Sequence, residues 1–337
     1  MRAVLDTNVV ASALLWGGTP ERLIEAAGDG ALELFTSEAL LAELAGILGR
    51  AKFAAGLRRK NLAKPFRCRN VLHTIGPCPL DPFLSRQLSR GRLWFTREDA
   101  LRALPAHSLT TALSQLTRKG RIANPRHGFY LILRPEDAGA PDPAQWIHPL
   151  MKHQGGDYRV SLLTAARHHG AATEASQFQV IVPRQLRDLA IGRHRLEFVA
   201  QAQSAFTRTN RSEWLVEMKT RTSVAIAAGI ELTLLDCARF FHKAGGISAV
   251  AQITRALGAR AQARRLATIA RAYENSAVRR LGYLLELAQH EAHAKALDRF
   301  AQAARTVKLL DPSSGIEPTE MSGRWKIAVN SPVKPGS

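Results

Sequence analysis

The sequence predicts an α/β protein of several domains, and three observations carry that expectation. Short apolar runs alternate with helical periods over residues 1–60. A two-helix unit followed by two strands occupies residues 91–133, and a mixed α/β region closes on an Ala/Arg/Leu-rich helical end over 247–309. At 337 residues there is room for two or three domains. The domain boundaries read as 1–66, a linker at 67–79, then 80–138 and 144–330, with the turn-rich stretch 134–143 joining the last two.

In the first segment, Ala3–Leu5 reads as a short buried strand, 20–27 as a helix, 32–35 as a second strand and 37–48 as a helix capped by Ser37. The stretch 65–82 has four prolines, two cysteines and no convincing period.

The next segment is the most informative. A first helix is expected over 84–88. Thr96 precedes the apolar run Ala100, Leu101, Leu104, and Asp99 stands three residues on, the spacing of a capping box. Pro105 closes that helix, because the residue before a proline avoids the helical region. A further helix over 108–119 puts Leu109, Ala112, Leu113 and Leu116 on one face and stops at Gly120. Its opposite face carries Thr110, Thr111, Ser114, Gln115 and Arg118. A strand at 121–123, a turn at 124–128 and a strand at 129–133 complete a winged helix-turn-helix. Short polar and basic side chains on a helix of this size suit the major groove of duplex DNA. Thr110, Thr111, Ser114 and Gln115 are the expected readers of base edges. Arg118, Lys119, Arg121 and Arg126 are the expected phosphate contacts, with Arg126 able to enter a minor groove from the wing.

Charge supports that assignment. The chain carries a formal +19, unevenly spread. Residues 1–66 hold 8 Lys+Arg against 7 Asp+Glu, 67–140 hold 12 against 5, and 141–337 hold 27 against 16. Phosphate neutralisation dominates protein–DNA affinity, so a surplus beside a groove-sized helix points to nucleic acid.

Beyond residue 144, helices are expected at 144–153 and 161–169 and strands at 178–182, 196–199, 222–226 and 324–329. Ser161 reads as a helix cap, and Glu231 falls in a first helical turn, where the dipole favours a carboxylate. Asp236 is spaced to pair with Arg239. Gly282, inside a helical run, implies a close contact at that point. The arginines 255, 260, 264, 265, 271, 279 and 280 read as a solvated basic face, with a second nucleic-acid surface as the alternative. His168, His169, His290 and His293 lack a metal-binding spacing and read as packed or solvated histidines. Cys68, Cys78 and Cys237 form neither a disulfide framework nor a zinc cluster, which fits a reduced, cytoplasmic setting. No apolar run approaches membrane-spanning length, so membrane insertion is not expected. No cofactor is expected.

Two family resemblances add to this reading. Asp6-Thr7-Asn8 after the first strand, and Glu43 in the helix after the second, resemble the first half of PIN-domain nucleases. In that family such acids bind Mg²⁺ or Mn²⁺ and activate water for RNA cleavage. Several carboxylates are needed, because a hard divalent cation takes oxygen ligands. After Lys64 no further Asp-bearing strand–loop segment continues the pattern. The segment is therefore expected to be a truncated PIN-like fragment with vestigial Asp6 and Glu43, no metal and no catalytic residue.

Residues 80–330 resemble AbiEi-family antitoxins of type IV toxin–antitoxin systems. The resemblance is carried by the winged unit, YRVSLLTAARHHGAA at 158–172, FQVIVPRQLR at 178–187, GIELTLLDCARF at 229–240, VRRLGYLLELA at 278–288 and WKIAVN at 325–330. It implies an N-terminal DNA-binding domain, repression of the protein's own operon, and antagonism of a nucleotidyltransferase toxin without a stable complex. A homodimer on inverted repeats is a further expectation of the resemblance. The rival functions are a PIN-type metal-dependent ribonuclease using Asp6 and Glu43, and a non-enzymatic protein that binds a toxin or RNA.

Overall fold

A computed structural model of the chain describes residues 2–16, 18–28, 33–48, 50, 72–74, 78–134, 140–171, 176–331 and 333. The chain divides into two compact units, Met1–Asp81 and Pro82–Ser337.

In the first unit, strands β1 (Arg2–Val4), β2 (Glu33–Thr36) and β3 (Leu72–Thr74) form a parallel sheet with β2 central. Helices α1 (Thr7–Leu15), α2 (Thr19–Gly28) and α3 (Glu38–Leu48) accompany it. Val10, Ala11, Leu14 and Leu44 are buried together between α1 and α3. Ser37 caps α3 as expected, its hydroxyl accepting the Leu40 N–H at 3.2 Å. Two sequence expectations differ from the structure here. β1 is not a buried strand, since Val4 is 56% exposed. The 67–79 segment, read as a linker, supplies β3; a three-residue strand is too short to show a period.

Helix α4 (Asp81–Ser89) starts at the last residue of the first unit and runs on into the second, which continues with strand β4 (Trp94–Thr96) and helices α5 (Arg97–Leu101) and α6 (Ala106–Arg118). Strands β5 (Ile122–Arg126) and β6 (Phe129–Ile132) follow, and the antiparallel sheet runs β4-β6-β5. The capping box is present in both directions. Thr96 Oγ1 accepts from Asp99 N–H at 3.2 Å, and Asp99 Oδ2 accepts from Thr96 N–H at 3.0 Å. α5 ends at Leu101, earlier than the proline expected to stop it. Pro105 instead stands at the N-cap of α6, where its missing N–H costs nothing. Gly120 leaves α6 with φ +63°, and Gly128 turns the hairpin with φ +75°.

A six-stranded mixed sheet, ordered β11-β12-β7-β8-β10-β9, forms the centre of the rest. Its strands are β7 (Arg159–Val160), β8 (Phe178–Val182), β9 (Leu189–Ile191), β10 (His194–Ala200), β11 (Leu215–Lys219) and β12 (Val224–Ala228). The short helices α7 (Ile147–His153), α8 (Leu162–His168) and α9 (Gln203–Thr209) connect them. Then come α10 (Ile230–Arg239), α11 (Gly246–Gly258), α12 (Ala263–Ala270), α13 (Asn275–Leu287) and α14 (Glu291–Gln302). A small sheet of β13 (Lys308–Leu309), β14 (Glu320–Ser322) and β15 (Ile327–Val329) follows.

Strand alternation sorts the core into two layers. Ile181, Val199 and Ala228 face a helical layer that contains Leu232, Leu235, Val250, Leu281 and Trp325. Val180, Val182, Phe198 and Ala227 face the other way, against Trp146, Ile147 and Leu150, and also against Phe129 and Leu131 of β6. All four residues of β6 are buried. Phe129 and Leu131 enter this second core, while Tyr130 stacks on Phe95 at 5.1 Å inside the winged unit. The two modules thus share one apolar core.

Candidate nucleic-acid interface

The residues expected to meet nucleic acid lie on and beside the outer face of α6. Its inner face is fixed by packing, with Leu109 and Leu116 fully buried and Ala112 and Leu113 nearly so, as the period predicted. That orientation leaves Thr110, Thr111, Ser114 and Arg118 exposed and Gln115 half-buried. Lys119 and Arg121 are exposed just beyond the helix. Arg97, at the start of α5, donates to Thr110 Oγ1 at 3.3 Å and brings a further cation to the same face. The sequence reading did not single out Arg97; its signal was its place directly after the capping Thr96. Arg90 and Arg102 are also exposed on this module. Arg92 lies 4.0 Å over the Trp94 ring and 3.8 Å from Asp99, so it is engaged with the module itself.

Arg126 differs from the other candidate cations. Its guanidinium donates to the Arg187 carbonyl and lies 5.6 Å over the Phe198 ring. Burial lowers its pKa, aided by neighbouring Arg187 and opposed by Asp188. The hairpin tip beside it is held too: His153 Nε2 stands 3.0 Å from the His127 carbonyl. The wing therefore rests on the C-terminal sheet, while the outer face of α6 is exposed.

The C-terminal region is pinned by a buried polar network. Arg159 donates to Asp236 through Nε at 2.9 Å and Nη2 at 2.8 Å, and Nη2 also reaches Gln201 Oε1 at 2.9 Å. Ser161 and Tyr273 donate their hydroxyls to the same carboxylate at 2.7 and 2.6 Å. Burial works against the Arg159 charge, but Asp236 beside it outweighs that and raises the pKa. Burial, followed by the Asp236 charge, pushes the Tyr273 phenol well above its usual range. Two expectations are corrected here. Ser161 stands at the N-cap of α8, but its hydroxyl makes no cap bond and donates to Asp236 instead, and Asp236 pairs with Arg159 rather than with Arg239. Arg239 instead meets Glu274 at 2.6 Å.

The arginine-rich helices are corrected in part. Arg279 and Arg280 are buried and spend their donors on carbonyls of Thr306, Lys326, Leu310 and Ala238. Arg264 and Arg271 remain exposed. The singled-out histidines hold carbonyls as well: His169 that of Ala228 at 2.8 Å, and His293 that of Ala261 at 2.7 Å. Glu231 lies in the first turn of α10 as expected and accepts the Gln262 N–H at 2.8 Å.

In the first unit, Asp6 follows β1 and caps α1, accepting the Asn8 N–H at 2.8 Å. Asp6 and Glu43 are both exposed. Among the described residues, no three His, Cys, Asp or Glu side chains gather in a metal-binding group.

A helix, a strand, two helices and a hairpin that share a three-stranded sheet define a winged helix-turn-helix, here fused to a mixed α/β domain. Comparison with known proteins agrees with both family resemblances. Residues 159–287 match the family model of the AbiEi antitoxin C-terminal domain, and residues 2–102 match that of the PIN domain. The PIN match runs past the 60 residues in which the sequence resemblance was seen. The fold is similar to the crystal structure of the RV2827C protein from Mycobacterium tuberculosis, with a TM-score of 0.58 and 17% identity, over 77% of this chain and 93% of that one. No curated protein matches the chain in sequence. The AbiEi match supports an antitoxin role in a toxin–antitoxin system. Among the described residues, no helix is long and apolar enough to cross a membrane.

Proposed function

We propose that this protein is a DNA-binding antitoxin that represses its own operon and counteracts a nucleotidyltransferase toxin in the cytoplasm. The observation that carries the DNA reading is the outer face of α6, where Thr110, Thr111, Ser114 and Gln115 lie beside Arg118 on a helix whose other face is wholly committed to packing. Base edges are read by these four side chains, and Arg118, Lys119 and Arg121 hold phosphates. Arg126 contributes only after leaving the Arg187 carbonyl, so it ranks below them. Two copies on an inverted repeat would place two such helices in successive major grooves. The antitoxin part rests on the AbiEi match over 159–287. The experiment is fluorescence anisotropy of the full chain on duplex DNA from upstream of its own gene, against a scrambled duplex. Gln115→Ala should narrow the gap between the two, since a lost base contact costs about 1–3 kcal/mol of discrimination. Equal binding to both duplexes by the parent protein would overturn sequence-specific repression.

The PIN match brings a second reading, nuclease action at Asp6 and Glu43. We place it below the first, because the Asp6 carboxylate is engaged as a helix cap and, among the described residues, no third acid gathers with Asp6 and Glu43. RNA cleavage with Mn²⁺ that disappears in Asp6→Ala would reverse that order.

A further inference from the structure

The six-stranded sheet ends on one side at β11, whose outer edge pairs with no strand among the described residues. All five of its residues, Leu215–Lys219, pair with β12 in one unbroken antiparallel register, with no proline and no bulge. Gly229 N–H donates to the Trp214 carbonyl and Thr220 N–H to the Ser223 carbonyl, both at 2.9 Å, which marks 214 and 220 as hydrogen-bonded positions of this hairpin. Alternation makes 216 and 218 the same, so Leu215, Glu217 and Lys219 turn their N–H and C=O away from β12. Such a row of backbone groups is a template for another strand. The sheet's other terminal strand, β9, differs: β5 of the wing lies beside it, with Arg126 on the Arg187 carbonyl.

The side chains of this edge select its occupant. Glu217 and Lys219 are two apart, so they share one face of β11, and both are exposed. Neither forms an ion pair or side-chain hydrogen bond with a described residue. Opposite charges at this spacing make the edge complementary to itself. When a second copy pairs antiparallel about a two-fold axis at Met218, Glu217 stands directly opposite the second copy's Lys219, and Lys219 opposite its Glu217. Both positions turn their backbone outward, so each is a hydrogen-bonded pair that exchanges two N–H···O bonds. Moving the axis by one residue sets Glu217 against Glu217 or Lys219 against Lys219, and like charges directly opposite are unfavourable. On the other face, Val216 and Met218 border the apolar layer around Trp146 and Phe198, and Met218 meets its own copy across the axis.

We propose that two copies of this chain associate edge to edge through β11, joining their sheets into one, with Glu217 and Lys219 fixing the register. Main-chain pairing supplies affinity, and the same edge serves both copies, as a two-fold contact requires. The association needs no DNA and none of the α6 residues, so it stands or falls apart from the DNA-binding reading.

The test is sedimentation velocity of the full chain without DNA, at concentrations up to about 100 μM, where a contact with a micromolar constant is populated. The parent protein should dimerise. Glu217→Lys sets lysine against lysine and Lys219→Glu sets glutamate against glutamate, and each should weaken the dimer about tenfold or more with the melting temperature retained. An equimolar mixture of the two variants restores both opposite-charge pairs and should dimerise as the parent does. The doubly reversed chain, Glu217→Lys with Lys219→Glu, should do the same. A parent protein that stays monomeric at about 100 μM would overturn the proposal. So would a dimer that both single variants keep, which assigns the contact to another surface, or a mixture of the two that stays monomeric.

Discussion

Removing the Asp236 carboxylate should be among the most damaging single changes in the C-terminal domain. Asp236 and Arg159 are both 0% exposed, and the carboxylate takes two donors from Arg159 and one each from Ser161 and Tyr273. Asp236→Asn preserves the volume but leaves a guanidinium in the core without its counter-charge. Breaking a buried pair from one side costs about 3–5 kcal/mol, because the remaining charge stays desolvated. The amide also keeps only one oxygen for four donors, and each unserved hydroxyl adds about 1 kcal/mol or more. A domain is stable by about 5–15 kcal/mol in total, so Asp236→Asn should bring this one near its folding threshold. The assay is urea unfolding of the full chain, followed by circular dichroism and tryptophan fluorescence. Arg159→Met combined with Asp236→Leu should cost less than Asp236→Asn, since no charge is then buried alone. An Asp236→Asn protein within about 1 kcal/mol of the parent would contradict this account of the network.

Three further outcomes are expected. Gly282→Ala would put a methyl 2.1 Å from the fully buried Trp325 ring, whose Nε1 is held by Glu286; overpacking of about 1–3 kcal/mol should exceed the helix-propensity gain of about 1 kcal/mol, and a raised melting temperature would contradict this. Burial pushes the Tyr158 phenol up to about 12, against the opposing Ile226 N–H. Below pH 10 it is neutral in both states, but between 10 and 12 the unfolded chain ionises first, so stability falls as pH rises. Tyr158→Phe should make that alkaline fall shallower, by on the order of 1.4 kcal/mol for each pH step of one across that window, and an equally steep fall would count against it. On DNA, Arg118→Ala should weaken all sequences and flatten the salt dependence by about one unit of slope, while Arg126→Ala should do so less. The opposite ranking would mean that the wing leaves the C-terminal sheet when DNA binds.

The features legible in the amino-acid order lie within a few residues of chain. The α6 period set which side packs and which is exposed, and Thr96 with Asp99 marked a helix start. Gly120 and Gly128 marked the turns, and the apolar run 178–182 is β8 with the same ends. Such signals are local, because caps, periods and turns are satisfied by neighbouring backbone. The fold class and both family resemblances were legible for the same reason, being ordered strings of such local features. Long-range packing settled everything else. Asp236 found Arg159 77 residues away instead of Arg239 three residues away, since only the α10–β7 packing brings those groups together. Ser161 gave up capping for the same carboxylate. Arg279 and Arg280, read as a solvated basic face in sequence, were buried because carbonyls of distant segments met their donors. The wing read as free for DNA, but Phe129 and Leu131 needed a second apolar surface, and the C-terminal sheet supplied it. In each case a distant partner satisfied a buried group that the local sequence left without one.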